Sequence, residues 1–198
     1  MELTIDPVAT SRMFMIYLHL LALAGAASAV ALGDYAIFAR ERIDSSLLRR
    51  AATFATIALA VLWATGIAVI VLDLGMDLDA LLGKPKLLAK LTVVAVLTFN
   101  SLALHFVAFP TFRSTHDDAL RAATMPSVFG AVSAASWIYA AFIGVAKPLA
   151  SAFGYSGFIA LFIVMLVCAV TMAIVLVRPR LAARLSGSVP PIRAVLAA

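Results

Sequence analysis

Five long runs without a single Asp, Glu, Lys or Arg govern what this chain can become. They cover residues 13–33, 51–72, 91–112, 122–146 and 148–177. A helix that crosses a bilayer needs about 20 mostly apolar residues, and every run reaches that length. An ordinary soluble domain is about 45–50% apolar and about 25% charged, whereas this chain is 64% hydrophobic and 13% charged. A water-soluble fold of this size cannot bury so much apolar surface. A soluble enzyme, a disordered tail and a nucleic-acid-binding domain are thereby excluded. The expected fold class is an all-α integral membrane protein, a bundle of five transmembrane helices. Lipid offers no water to an open backbone, and no segment shows the period-2 alternation of a membrane strand.

The runs and their flanks predict helices near 13–38, 51–72, 87–110, 126–146 and 155–177, forming one bundle over residues 1–177. Residues 178–198 read as a short basic extension, with Ser186-Gly-Ser and Pro190-Pro191 inside it. The last run is too long for one span, so residues 151–157, Ser-Ala-Phe-Gly-Tyr-Ser-Gly, are read as its lead-in turn. Asp44-Ser-Ser is a natural N-cap for the second helix. Gly83-Lys-Pro85 breaks the chain before the third, Pro110 closes it, and Pro126 fits the first turn of the fourth. Ala27-Ser-Ala29 resembles a leader-cleavage site, but the flank holds one Arg and two acids and the run exceeds an ordinary leader core, so the first helix is expected to be retained.

The basic residues divide unevenly. With five spans, Arg12, Lys84, Lys86, Lys90 and Lys147 fall on one side, and the other ten of the 15 Lys and Arg fall on the opposite side. The positive-inside rule then puts the N-terminus outside and the C-terminus in the cytoplasm of a multi-pass cell inner-membrane protein. It also accounts for the formal charge of +5 without an anionic partner such as nucleic acid. The lipid bilayer is the expected surrounding, and any protein partner would be a second copy or another membrane protein.

Polar groups inside spans are costly, so each is a functional candidate. His19 lies about 10 Å into the first helix by the rise per residue. It is either an interhelical hydrogen-bonding group or a cofactor ligand or proton carrier. Lys90 lies about 5 Å into the third helix, either snorkelling to the interface or sharing a site with His19 at similar depth. Asp34 and His105 lie near the other ends of the same two helices, where Asp34 reads first as an interfacial carboxylate capping loop contacts, and otherwise as the ion-pair or hydrogen-bond partner of His105. Asn100 and Ser101 are on the same third helix. Lys90, Val94, Leu97, Ser101 and Ala108 form one stripe, with His105 about 60° off it. A single haem cannot take both histidines, because His105 lies about 27 Å from the outer face. His116 sits beside Asp117 and Asp118 in a loop that reads as solvated rather than metal-binding. The one cysteine, Cys168, rules out an intrachain disulfide. Gly25, Ala29 and Gly33 repeat every four residues, and Ser133, Ser136, Trp137, Ala140 and Gly144 form a similar face on the fourth helix. Both sets read as close-approach faces, as do Trp63, Thr65 and Gly66.

Three stretches together resemble the membrane family that includes the HemJ-type protoporphyrinogen oxidase and the copper-resistance D-like proteins. They are Tyr17-Leu-His19, Trp63-Ala-Thr-Gly66 and Lys86-Leu-Leu-Ala-Lys90-Leu. The resemblance covers about the first 110 residues. It implies haem b as cofactor, with His19 and Lys90 as the functional pair and Trp63 beside them. The HemJ type has four helices where this chain has five, and its loop motif after the first helix is absent around residues 35–42. The run Leu97-Thr-Phe-Asn-Ser-Leu-Ala-Leu-His105 looks more like an uncharacterised branch. Two functions remain open on this basis. One is a haem- or porphyrin-binding membrane oxidoreductase, with His19 as axial ligand and Lys90 as proton donor or carboxylate partner. The alternative is a small permease, with His19, Lys90, Asp34, Asn100 and His105 along its path, or a structural subunit without chemistry.

Overall fold

The computed structural model describes residues 6–39, 43–112 and 117–187. All regular structure in them is helical, and five helices are long and apolar enough to cross a membrane: α1 (Pro7–Phe38), α2 (Ser45–Leu74), α3 (Pro85–Thr111), α4 (Ala119–Val145) and α5 (Ala150–Ser186). Their outward faces carry large apolar side chains. Phe54, Phe99 and Ile138 are 66%, 72% and 66% exposed, the reverse of a soluble protein and what a lipid surrounding requires.

The helices outrun their apolar cores because polar residues set the ends. Asp6 accepts from the Val8 and Ala9 amides, and Pro7 follows it at the first helical position, so α1 begins well before residue 13. Asp44 accepts from the Ser46 and Leu47 amides, so α2 starts at Ser45 rather than 51 and carries Arg49 and Arg50 within it. Gly75, at φ 66°, ends α2. Asp77 then caps the short turn Leu78–Leu82, and Pro85 opens α3. In α4, residues Ala119–Ala122 form a first turn and the helix resumes at Thr124. Pro126 has no N–H to donate to the Ala122 carbonyl, which explains the break. Gly154, at φ 57°, kinks α5 inside the expected lead-in turn, yet helix already exists on both sides of it.

Two prolines reshape the far ends of α3 and α5. Residues Leu104–Ala108 and Ala173–Val177 form π-turns, each ending two residues before a proline, Pro110 and Pro179. A proline removes the hydrogen bond to the carbonyl four residues back and crowds it. A π-turn re-routes that backbone. Beyond the second, Arg178–Gly187 stays helical, so the first part of the expected basic extension is the end of α5. Leu181, Ala182 and Leu185 pack on Ala123, and Arg184 Nη2 donates to the Phe38 carbonyl at 2.9 Å.

Helices α1 and α2 pack along their length as a hairpin, while α3, α4 and α5 form a three-helix group. The principal core lies in that group, with Ala89, Val93, Tyr139, Ile143, Phe158 and Phe162 buried together. Tyr139 stacks on Phe162 with ring centroids 5.1 Å apart, and its hydroxyl donates to the Phe158 carbonyl. This core belongs to the end of the bundle that holds the start of α1, called here the N-end. The opposite end, where the hairpin meets α3 and α4, holds a half-open cleft of about 140 Å³. Ala29 and Gly33 border it, and Gly33 has Leu48 and Ala51 as ordinary neighbours, whereas a side chain at Gly25 or Gly144 would meet nothing within 4 Å. The two small-residue faces are therefore only partly close-approach faces.

Candidate functional site

At the N-end, ring N–H groups on one helix meet threonine hydroxyls on the next. His19 Nδ1 lies 2.8 Å from Thr65 Oγ1. That hydroxyl also lies 2.7 Å from the Val61 carbonyl of its own helix. A hydroxyl has one proton. Donating it to Val61 and accepting from His19 Nδ1–H satisfies all three groups. The reverse leaves the Val61 contact without a proton. The hydrogen-bond network thus assigns the proton of neutral His19 to Nδ1 and leaves Nε2 with its lone pair. No side chain among the described residues bonds to Nε2. Gly66 sits beneath the ring, where an added side chain would lie 3.6 Å from His19 Cε1.

The motif repeats one helix further on. Trp63 Nε1–H donates to Thr98 Oγ1 at 3.0 Å, and Thr98 sends its own proton to the Val94 carbonyl at 2.8 Å. Thr92 likewise donates to the Leu88 carbonyl at 3.0 Å and lies 3.2 Å from the Tyr155 hydroxyl. Three threonines therefore tie α1 to α2, α2 to α3, and α5 to α3. Trp63 is held in this stitching.

Lys90 is half-buried on α3, and its charge reaches the His19 ring. Lys86 lies one turn away within Coulombic reach of Lys90, and Lys147 within reach of Lys86. Lys86 Nζ donates to the Gly144 carbonyl at 3.5 Å. All four lysines of the chain, with Lys84, belong to this end. Three acids of this end are otherwise engaged: Asp73 pairs with Arg12 at 2.6 Å, and Asp6 and Asp77 cap helix starts. No carboxylate bonds Lys86 or Lys90 among the described residues. The cluster is therefore a cationic rim beside an imidazole that offers Nε2.

Asp34 and His105 occupy the other end. Both line the cleft between the hairpin and α3–α4, together with Ser101. No hydrogen bond or ion pair joins the two among the described residues, and both are exposed. The His105 ring instead meets Phe109 edge-on at 5.2 Å. Asn100 is turned away to α4, where Nδ2 donates to the Phe129 carbonyl at 2.9 Å. It is a strut between helices. His116 lies outside the described residues.

Sequence reasoning singled out His19, Lys90 and Gly66 but read Thr65 as a packing residue and passed over Thr98, Thr92 and Tyr155. The signal was available in kind, since a threonine inside a span often spends its proton on its own helix. Its partner, however, lies on another helix. No three His, Cys, Asp or Glu side chains gather to hold a bare ion among the described residues. The donor set does fit a haem, which brings its own four nitrogens. One imidazole presents Nε2, its Nδ1–H is fixed by a hydroxyl as metal-binding histidines usually are, and cations stand nearby. No protein family, curated protein or solved structure matches the chain.

Proposed function

We propose that this is a multi-pass inner-membrane protein that binds haem b or a related porphyrin at its N-end in a redox role. The carrying observation is the His19–Thr65 bond, which leaves Nε2 free. His19 would hold the iron through Nε2. Thr65 fixes the ring plane through Nδ1–H. Lys90 and Lys86 would take the propionates, because anionic oxygens form strong charge-assisted bonds with ammonium groups. When bound, haem would supply one-electron chemistry that the side chains lack. The uneven division of Lys and Arg supports an N-end that faces out.

The test is an absorption spectrum of protein purified from haem-replete cells. A Soret band is expected, lost in His19→Ala and retained but weakened in Lys90→Ala. A colourless wild-type protein, or a band indifferent to His19→Ala, overturns the proposal.

A further inference from the structure

The outward face of α2 begins with a pair of arginines that the fold does not use. Arg49 and Arg50 are exposed at the end opposite His19. No carboxylate or carbonyl bonds to either guanidinium among the described residues. On α5, by contrast, Arg178 and Arg184 donate to the Leu120 and Phe38 carbonyls and so tie that helix to α4 and α1. Beside Arg49 and Arg50 lies an open recess whose other lining residues, Thr53, Phe54 and Ile57, also belong to α2. Leu48, Ala51, Leu59 and Leu62 are buried on the opposite face of the same helix, so the recess looks away from the bundle. Thr53 spends its hydroxyl proton on the Arg49 carbonyl at 3.0 Å. The two arginines are therefore the side chains with donors to offer there.

Depth gives the pair its surroundings. The charge-free run 51–72 spans about 33 Å by the rise per residue, close to the thickness of a bilayer's hydrocarbon core, about 30 Å. Arg49 and Arg50 come immediately before that run and so reach the level of the lipid phosphates. Phe54 and Ile57, 66% and 55% exposed, lie deeper, among the acyl chains. A guanidinium binds phosphate oxygens through paired N–H donors. A headgroup that also carried an ammonium would set a like charge beside them.

We propose that this face of α2 is a binding site for an anionic phospholipid, with Arg49 and Arg50 on its phosphate and Phe54 and Ile57 against its upper acyl chain. The occupant is a lipid rather than a soluble anion because the charged end of the recess continues into an apolar face. In the orientation proposed above, the site faces the cytoplasmic leaflet, where anionic lipids attract basic side chains. It shares no residue with the haem site.

Phe54→Trp, in a chain whose two native tryptophans are changed to phenylalanine, puts a fluorescent reporter in the recess. The full chain is reconstituted in phosphatidylcholine vesicles that hold a small fraction of brominated phosphatidylglycerol or, in parallel, of brominated phosphatidylcholine. Both carry bromine near the top of the acyl chain, so quenching reports which lipid stands beside the reporter. The anionic lipid should bind there at least about threefold better than the zwitterionic one. Arg49→Gln with Arg50→Gln should abolish the preference. Quenching by brominated phosphatidylcholine should persist in that variant, which shows that the helix still stands in lipid. Arg121→Gln with Arg180→Gln removes the same charge from other helices at this end and should keep the preference. No preference at the reporter, a preference that survives the loss of Arg49 and Arg50, or one lost equally with Arg121 and Arg180 overturns the proposal.

Discussion

The two ends of the bundle treat their polar groups in opposite ways. At the N-end, His19, Trp63 and Tyr155 each place a donor on a threonine of a neighbouring helix, and a packed aromatic core lies beside them. At the other end, Asp34 and His105 face a half-open cleft and bond to nothing described. The first arrangement fixes which helices are neighbours. The second ties no helices together, and both groups are exposed. His19 combines both situations, with one ring nitrogen committed and the other free.

The largest expected contrast lies on α4. Tyr139 is 1% exposed in the core, while Trp137 borders the cleft. Tyr139→Ala should destabilise the protein by about 3–5 kcal/mol, the usual cost of deleting a large buried ring. Trp137→Ala should cost less than half of that, because it enlarges a space that already exists. Both are read from denaturing-detergent unfolding of the purified protein, and equal losses would erase the distinction between the ends. Next comes the stitching. Thr65→Val should cost about 0.6–1.7 kcal/mol, between the average and the largest value measured for interhelical hydrogen bonds in a membrane protein. Thr65→Ser should restore most of it, and a valine variant as stable as wild type would show that the bond carries nothing. Smallest is a gain: Ser133→Leu should stabilise by about 0.5 kcal/mol, as cavity filling commonly does. A marked loss would mean that the cleft is tighter than it looks.

The five spans were legible because apolar length is local information. The helix ends were less so, since hydropathy measures burial in lipid rather than helix. Asp6-Pro7 and the arginines after Asp44 extend α1 and α2 beyond their apolar runs. Pro110 was read as a terminator, although its missing donor four residues downstream of Phe106 also implied the π-turn that holds His105. For the site, His19 and Lys90 were visible as polar residues at matching depth. Asp34 and His105 were likewise placed at one depth, but depth does not say whether two side chains touch or look into the same space. That depends on the spacing between the hairpin and α3–α4, which no run of residues encodes.

The central claim is that His19 keeps its proton on Nδ1 and presents Nε2 to an iron. Nitrogen-15 spectra of histidine-labelled protein, with His19 assigned by its loss in His19→Gln, test this directly. The expected spectrum shows neutral His19 as the Nδ1–H form, with its bare Nε2 resonance lost on addition of haem and restored in a haem-free control. A neutral His19 protonated on Nε2, with both resonances indifferent to haem, would contradict it.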